Sequence, residues 1–208
     1  MLIRFGDILK KYSIDPKGII HIGAHLAEEA DSYRRSGVKN VIWIEADPDT
    51  FSKLSRIVPA YKGNLAYCFA ASDTESDHEI FNIASNGESS SLLEMDKHLF
   101  HHPHISIIGQ KIVRTRRIDN FIREENINSD LFDFVNIDIQ GAELLALRGM
   151  PNFLEKARYI YSEVNISEIY NGCAKIEEID EYLSRFGFTR VETHMTQYEW
   201  GDAFYIKN

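Results

Sequence analysis

The segment IIHIGAHLAEE (residues 19–29) joins a short apolar run to a glycine and then to a helix-like stretch. This order is typical of the first βα unit of a parallel sheet that binds a nucleotide-like ligand. Glycine suits the turn because a side chain at Gly23 would fill the space where backbone and ligand approach each other. An ordinary tight βα turn explains the same residues. The dinucleotide pattern is incomplete, since His25 and Glu28 stand where it needs glycines, so a ligand without a pyrophosphate fits better.

Four further apolar runs share the β-branched and aromatic character of the first one. The five predicted strands are GIIHIG (18–23), VIWIEA (41–46), LAYCFAA (65–71), FDFVNIDI (132–139) and YIYSEVN (159–165). Continuous apolar runs indicate strands that are covered on both faces, as in a parallel sheet. Helix-like stretches alternate with the strands at 26–33, 48–58, 141–150 and 176–186. The alternation predicts an α/β fold with helices on both faces of the sheet.

Two features depart from this alternation. The segments FTRVETHM (188–195) and DAFYIKN (202–208) are joined by a short connection, which predicts that the sheet ends in an antiparallel hairpin. About 60 residues separate the third and fourth strands, far more than a simple crossover needs. Within about 74–120, the runs HEIFNIA (78–84) and KIVRTRRI (111–118) predict an inserted strand pair. We expect the irregular segment between them to be a lid or substrate loop.

The composition disfavours several classes of protein. The chain has 208 residues, of which 44% are hydrophobic and 26% charged, so we expect residues 1–208 to form a single domain. No window has the roughly 18 apolar residues of a membrane span, and the start lacks the apolar core of a secretion signal. We therefore expect no membrane partner and a cytoplasmic location. Cys68 and Cys173 are too few for a disulfide scaffold. The net charge of −9 disfavours a nucleic-acid partner.

A carboxylate ends the second predicted strand. Glu45 follows Gly23 by about 20 residues, the spacing at which an acid in this class of fold binds both ribose hydroxyls of an adenosine-type ligand. The alternative is that Glu45 only caps the helix that Asp47 and Pro48 begin. The combination of the glycine turn with this acid predicts an adenosine-containing ligand more strongly than either feature alone.

Polar residues also follow the fourth and fifth predicted strands. Ligands of open α/β sheets bind at the carboxyl ends of the strands, and the first and fourth strands flank the expected switch point. Asp138, in VNIDIQGAELL (135–145), therefore faces the expected chemistry. Glu143 either belongs to the site or only stabilises the helix dipole. Glu163 and Asn165 end the fifth strand on the same rim, where we expect the substrate.

Together, these motifs resemble the FkbM-type methyltransferases, which transfer a methyl group from S-adenosylmethionine to oxygen, typically on sugars, polyketides or related metabolites. The motifs are HIGAHLAEE (21–29), IEADP (44–48), FAASD (69–73), SSSL (89–92), RTRRID (114–119) and IDIQGAELLALRGM (137–150). The resemblance implies a class I methyltransferase fold, a Rossmann-like three-layer sandwich. Its seven-stranded sheet is mostly parallel with an antiparallel last strand. Three residues depart from the family pattern: His21 and Gln140 replace common acids, and Ala27 replaces a common glycine.

The resemblance also implies a set of site residues. We expect S-adenosylmethionine to contact His21, Gly23, Ala24, His25, Glu45, Ala46, Asp47, Ala71, Ser72, Asp73 and Asp138. We expect the substrate to contact Ser90, Ser91, Arg116, Glu143 and Asn165. An alcohol is a weak nucleophile at neutral pH, so a base is valuable, and Asp138 and Glu163 are the expected catalytic residues. A histidine of the 101–104 loop is a further candidate base, and a role in positioning the cofactor is the alternative for Asp138.

The histidines and arginines of the insertion carry weaker signals. His101, His102 and His104 suggest a metal site, but Pro103 prevents a helical i, i+4 pair, and we expect no metal there. A divalent ion held by Asp138 and Glu163 is not required by any spacing. The basic residues of the second inserted strand either bind an anionic group of the substrate or protect an exposed sheet edge.

The sequence as a whole predicts an S-adenosylmethionine-dependent O-methyltransferase that acts on a hydroxyl of a small metabolite, sugar or glycan. One alternative is a nicotinamide-dependent reductase of similar fold, which would need the missing glycines and a Tyr/Lys proton relay that the sequence lacks. Another is a catalytically silent cofactor-binding scaffold subunit, suggested by His21 and Gln140. The sequence does not identify the acceptor or the oligomeric state.

Overall fold

The computed structural model describes the backbone of residues 1–208 and every side chain except that of His98. The strands are β1 (Gly18–Ile22), β2 (Asn40–Glu45), β3 (Asn64–Cys68), β4 (Ala70–Ala71), β5 (Ser76–Ala84), β6 (Ile107–Arg116), β7 (Phe134–Ile137), β8 (Tyr159–Asn165), β9 (Phe188–Met195) and β10 (Trp200–Lys207). The helices are α1 (Phe5–Tyr12), α2 (Ala30–Arg35), α3 (Pro48–Ile57), α4 (Lys97–His101), α5 (Ile118–Glu124), α6 (Glu143–Arg148), α7 (Pro151–Lys156) and α8 (Ile176–Ser184).

The larger sheet has the strand order β3-β2-β1-β7-β8-β10-β9. The first five strands in this order pair in parallel, with Ile20 of β1 opposite Ile42 of β2 and Val135 of β7. The last strand, β10, lies between β8 and β9 and is antiparallel to both. The strand order reverses between β1 and β7, which is the switch point that the sequence predicts. The expected α/β fold, including the antiparallel last strand, is confirmed.

Helices cover both faces of this sheet because successive side chains of a strand point to opposite sides. On one face, Ile20 and Ile22 of β1 pack into a core that includes side chains of α5, α6, α7 and α8. On the other face, Ile19 of β1 and Trp43 of β2 pack with side chains of α1, α2 and α3. Both cores include side chains of β1, β2 and β7, so the strands that end at the predicted ligand side are packed on both faces. None of the helices in the described structure is long and apolar enough to cross a membrane.

A second sheet of three strands, in the order β4-β6-β5, stands beside the larger one. Strands β5 and β6, which lie between β3 and β7 along the chain, form an antiparallel pair. The sequence pattern predicts an inserted pair at this place. The predicted third strand divides at Phe69: β3 belongs to the larger sheet, whereas Ala70 and Ala71 pair with β6. The insertion is therefore joined directly to the end of β3.

The structure differs from the sequence prediction in its helices. The helix after β1 begins at Ala30 rather than near Leu26, because His25 and Ala27 have positive φ angles of 42° and 58° that interrupt a right-handed helix. Helix α5 begins at Ile118, where the sequence predicts the end of a strand. The sequence pattern predicts no helix at the positions where α1 and α7 form.

Candidate functional site

A cavity of about 420 Å³ opens at the carboxyl ends of β1, β2, β7 and β8. This is the place where open α/β sheets bind ligands, and its volume lies within the usual range of small-molecule sites. Of the predicted site residues, the cavity is lined by His21, Gly23, His25, Glu45, Ala46, Ala71, Ser90, Asp138 and Glu163. The lining does not include Ala24, Asp47, Ser72, Asp73, Ser91, Arg116, Glu143 or Asn165.

The turn after β1 needs glycine for a reason that the sequence does not show. Gly23 has a φ of +84°, and a Cβ added there would lie 1.8 Å from the carbonyl oxygen of Asp138. The backbone N–H groups of Gly23 and Ala24 both donate to the carbonyl of Ile44, at 3.0 Å each. Glycine therefore lets the ends of β1 and β7 approach each other, in addition to leaving the cavity wall free of a side chain.

Glu45 is held at the end of β2 by two backbone donors. Its Oε2 accepts from the N–H of His25 and its Oε1 from the N–H of Asp47, at 2.8 Å each. Burial raises the pKa of Glu45, and the two hydrogen bonds oppose that rise. Asp47 itself caps α3, because its carboxylate accepts from the N–H groups of Asp49 and Thr50. Glu45 is therefore not the cap, and its carboxylate stands in the cavity wall with each oxygen still able to accept a further hydrogen bond.

Carboxyl groups and one amide meet at the ends of β7 and β8. The Nε2 of Gln140 donates to Oδ1 of Asp138 at 2.9 Å and to Oε2 of Glu163 at 2.7 Å. The Oε1 of Gln140 accepts from the hydroxyl of Tyr170 at 2.7 Å. Burial, followed by the nearby carboxylates of Asp138 and Glu143, raises the pKa of Glu163 well above its ordinary value. The raised pKa favours the protonated form of the Glu163 carboxyl, which Gln140 joins to Asp138 in one hydrogen-bonded group.

Two further acids lie next to this group. Glu143 is fully buried, and burial raises its pKa to about 7 although the N–H groups of Ile139 and Gly141 donate to its Oε1 at 3.0 and 3.1 Å. Asp202 of β10 stands directly opposite Glu163 in the sheet register and lines the cavity. It accepts a hydrogen bond from the hydroxyl of Tyr161. Glu143 thus accepts from the backbone of the turn after β7, while Asp202 adds a carboxyl group that the sequence pattern does not predict.

His21 sits in a buried polar network at the cavity wall. The hydroxyl of Tyr33 lies 3.1 Å from its Nδ1 and accepts from the Nδ2 of Asn136 at 2.7 Å. Its ring packs 4.9 Å from that of Trp43. Burial lowers the pKa of His21, so the imidazole is neutral at physiological pH. Because Nδ1 faces two donor groups, the tautomer with the proton on Nε2 fits this network.

An apolar wall adjoins Glu45. Ala46, Ala70, Phe81 and Leu92 pack together and all line the cavity. Ala46 follows Glu45 directly, while the other three come from β4, β5 and the inserted segment. The predicted neighbours of Ala71 in the motif 69–73 lie elsewhere: Ser72 donates its N–H to the carbonyl of Arg116 at 3.1 Å, and Asp73 accepts from the side chain of Arg117 at 2.6 Å through its own carbonyl.

The predicted substrate residues separate into two groups. Ser90 lines the cavity, whereas the Oγ of Ser91 donates to the carbonyl of Gln140 at 2.8 Å and thereby supports the turn after β7. Arg116 is 6% exposed, and its guanidinium lies 5.5 Å from the centre of the Phe69 ring. It pairs there with the carboxylates of Glu124 and Glu125. Its charge is thus already compensated away from the cavity, and we do not include it in the site.

The surroundings of Asn165 and of the histidines in the inserted segment also could not be read from the sequence. Asn165 is fully buried behind the rim, and both polar atoms of its side chain lack a hydrogen-bond partner. His102 lines the cavity and packs 4.7 Å from the ring of Tyr198. Across the described side chains, no three His, Cys, Asp or Glu residues are grouped in a way that would hold a metal ion.

Several lining residues outside the predicted set come from distant parts of the chain. Gln140, Tyr170, Trp200 and Asp202 line the cavity together with Asp138. Asp202 is brought there only by the register of β10 against β8, and Tyr170 by the path of the loop after β8. The turn motif itself indicates the position of Gln140, which lies two residues after Asp138.

Comparison with known proteins gives a family for this fold and site. The model of the methyltransferase FkbM domain matches residues 21–190. The 2-O-methyltransferase NoeI of Sinorhizobium fredii is 32% identical over 98 residues, which are 47% of this chain and 40% of that protein. The hexuronic acid methyltransferase AglP of Haloferax volcanii is 25% identical over 129 residues, or 61% of this chain and 47% of that protein. The chain thus matches less than half the length of these curated relatives.

Solved structures agree on the fold. The methyltransferase FkbM of Methylobacillus flagellatus superposes with a TM-score of 0.59 and 14% identity, over 91% of this chain and 43% of that chain. The magnesium protoporphyrin IX methyltransferase of Synechocystis, solved with its methyl donor bound, gives a TM-score of 0.51 and 9% identity over 91% of this chain and 69% of that chain. At these identities the likeness concerns the architecture alone.

Proposed function

Because the chain belongs to the FkbM methyltransferase family, we propose that it transfers a methyl group from S-adenosylmethionine to a hydroxyl of a sugar, glycan or other small metabolite. The observation that carries this proposal is the joining of two walls in one cavity: an apolar wall next to the buried carboxylate of Glu45, and an acidic wall at Asp138, Glu163 and Asp202. The relatives NoeI and AglP, named as a 2-O-methyltransferase and a hexuronic acid methyltransferase, support the choice of a hydroxylated sugar as acceptor.

The residues fit the proposed cofactor. Glu45 offers carboxylate oxygens to the ribose hydroxyls, and the wall of Ala46, Ala70, Phe81 and Leu92 offers an apolar surface for the adenine ring. S-adenosylmethionine carries a positive sulfonium and a positive ammonium group, and the acids of the cavity suit that charge. The described lining contains no lysine or arginine, and the amino group of Met1 lies 3.8 Å from Glu29. The cavity therefore favours a cationic ligand over an anionic one.

When bound, S-adenosylmethionine supplies an electrophilic methyl group. The chain's own contribution is to hold the acceptor in line and to receive its hydroxyl proton. Asp138 is the best placed group for the second task, since it lines the cavity and is half-buried, whereas Glu163 is 4% exposed and burial raises its pKa well above the ordinary value. Positioning the cofactor remains the alternative role of Asp138. His102 lines the same cavity and is the candidate base from the histidine loop.

The acidic wall also bears on the acceptor. A carboxylated or phosphorylated sugar would place a second anion beside Asp138 and Glu163 without a lysine or arginine among the described lining residues to balance it. An unpaired charge in a partly buried site opposes binding by several kcal/mol. We therefore propose an acceptor that is uncharged in the part that enters the cavity; the carboxyl group of a sugar acid, such as the hexuronic acid in the name of AglP, would have to lie outside it. A cytoplasmic location is part of the proposal, in keeping with the two free cysteines.

The reductase alternative fits the cavity less well. A nicotinamide dinucleotide needs donors for its pyrophosphate, but the turn after β1 carries His25 and Glu28 at the positions of the second and third glycines, and Glu28 lines the cavity. A silent scaffold subunit would keep the cofactor site but would have no need for a half-buried carboxylate at the position of Asp138. The reductase thus differs from our proposal in its ligand, and the scaffold subunit differs in catalysing no reaction.

Two measurements test the proposal. Calorimetric titration should show binding of S-adenosylmethionine and none of NADH, and the opposite result would support the reductase. Transfer of labelled methyl groups to a panel of neutral and anionic glycosides should show turnover on neutral sugars. Asp138→Asn should lower the transfer rate about 100-fold or more if Asp138 is the base. A loss of cofactor affinity in the same variant would assign Asp138 to positioning, and binding without transfer to any acceptor would favour the scaffold.

A further inference from the structure

The amide of Gln140 stands between the two carboxyl groups that the proposed reaction uses. Its Nε2 donates one hydrogen to Asp138 and the other to Glu163, at 2.9 and 2.7 Å. The orientation of the amide is set from its other side, because the hydroxyl of Tyr170 lies 2.7 Å from Oε1. If the amide were flipped, its oxygen would face two carboxyl groups and its NH₂ would face the tyrosine hydroxyl. Both donors of Gln140 are therefore committed to the pair.

The backbone at this position is built to hold that side chain. Gln140 has a φ of 58°, a left-handed conformation that a residue with a Cβ rarely adopts. Its carbonyl accepts from Ser91 at 2.8 Å. Gly141, with a φ of 97°, packs so closely that an added Cβ would lie 3.0 Å from the Cβ of Tyr170. A strained residue fixed by contacts on both sides is typical of functional turns.

The charge around the pair explains why an amide suits this place. A hydrogen bond with Asp138 and the nearness of Glu143 and Asp202 follow burial among the causes that raise the pKa of Glu163. A third carboxylate at position 140 would add repulsion to both partners, whereas an amide donates to both. The titratable groups that face the pair are His21 of β1, Glu143 of α6, Tyr161 of β8, Tyr170 of the loop after β8 and Asp202 of β10.

From this geometry we propose that Gln140 is a positioning residue that holds Asp138 and Glu163 as a pair sharing one proton. The proton is assigned to Glu163, the more deeply buried of the two, and the free oxygen of Asp138 is left to accept the proton of the acceptor hydroxyl. This inference rests on the proposed function for the identity of the reaction, but not for the state of the pair. Two carboxyl groups in contact titrate as one unit in two steps, so replacement of the amide changes the pH at which the pair loses its shared proton.

The test compares Gln140→Glu and Gln140→Met with Gln197→Glu, which makes the same change of charge on an exposed residue between β9 and β10. Titration of the side-chain carboxyl carbons by ¹³C NMR reports the pair directly, with Glu163→Gln to assign the signal. In Gln140→Glu the loss of the shared proton should move up by at least one pH unit, a tenfold change in proton concentration. In Gln140→Met the titration should also shift, while Gln197→Glu should match the unchanged chain.

Kinetics provide the second readout. The pH profile of kcat/KM should move to higher pH in Gln140→Glu, because the added acid raises both titration steps of the pair: activity should fall at least tenfold on the acid limb and persist to higher pH on the alkaline limb. Tyr170→Phe, which frees the amide oxygen without adding charge, should lower kcat at least threefold with little change in KM. Titration curves that coincide with those of Gln197→Glu would overturn the inference. If the unchanged chain shows no methyl transfer, the proposed function fails, but the NMR titration still decides the role of Gln140.

Discussion

Replacement of Glu45 tests the placement of the cofactor most directly. The carboxylate accepts two backbone hydrogen bonds at 2.8 Å and has further capacity toward the cavity. Hydrogen bonds to a charged group are worth about 1.5–3 kcal/mol each, so the loss of two bonds to the ribose hydroxyls should weaken binding by about 3 kcal/mol or more. At about 1.4 kcal/mol for each factor of ten, Glu45→Ala should raise the Kd for S-adenosylmethionine about 100-fold or more.

Glu45→Gln separates the binding role from the structural one. Both oxygens of the native carboxylate accept from N–H groups, so either orientation of the amide sets its NH₂ against the N–H of His25 or Asp47. This conflict should lower the free energy of unfolding by about 1–3 kcal/mol. Urea unfolding gives the stability, and calorimetry well below the unfolding transition gives the Kd. Glu155→Gln, at an exposed acid of α7, is the matched control and should change neither quantity.

The result that refutes this reasoning is specific. If Glu45→Ala folds, loses stability and still binds S-adenosylmethionine within threefold of the native affinity, the carboxylate serves only to join the turn after β1 to α3. The ribose would then lie elsewhere, and the proposed site would lose its main anchor.

Three further changes test other parts of the structure. Gly23→Ala should lower the free energy of unfolding by at least about 1–3 kcal/mol in a urea titration, because its Cβ would collide with the carbonyl of Asp138 at 1.8 Å in a left-handed conformation; unchanged stability would show that β1 and β7 separate easily. Burial raises the pKa of Glu143 from 4.5 to about 7, so the folded chain binds this proton more tightly than the unfolded chain and stability declines as the pH rises between those values. Glu143→Gln keeps an oxygen for both backbone donors and should flatten that decline in urea unfolding at several pH values; an unchanged slope would contradict it. Lys111→Met removes the link from β6 to Asp47 and, at this partly exposed pair, should cost about 1 kcal/mol or less in stability and raise the Kd for the cofactor about fivefold or less; a complete loss of calorimetric binding would show that the insertion is itself essential to the cofactor site.

The strands were predictable because burial on both faces leaves continuous apolar runs in the sequence. The runs at 18–23, 41–46 and 159–165 correspond within a residue or two to β1, β2 and β8. Glu45 and Asp138 were found for the same reason, since the end of a buried strand in this fold marks the ligand side.

The rest of the site depends on contacts between distant segments, which leave no local pattern. Asp202 reaches the cavity only because β10 pairs with β8 so that it stands opposite Glu163. Arg116 illustrates the opposite case, a residue that the sequence predicts as a substrate contact but that does not line the cavity. In the sequence it belongs to a basic patch, but the fold buries its guanidinium between Phe69 and Phe121 and supplies acids from the following helix. A charge pattern predicts which residues are ionised but not which of them are already paired.

The start of α2 was predicted wrongly, and the reason is the same turn after β1 that holds Glu45 in place. The residues from Leu26 onward have a helical pattern, yet His25 and Ala27 adopt positive φ angles and delay the helix to Ala30. This conformation directs the N–H of His25 at the carboxylate of Glu45, which a helix beginning near Leu26 would not do. Gln140 adopts a similar conformation on the other side of the cavity. Local helix propensity does not predict the conformation of these turns. Their backbone is determined by contacts around the cavity rather than by the neighbouring residues, as expected where function constrains structure.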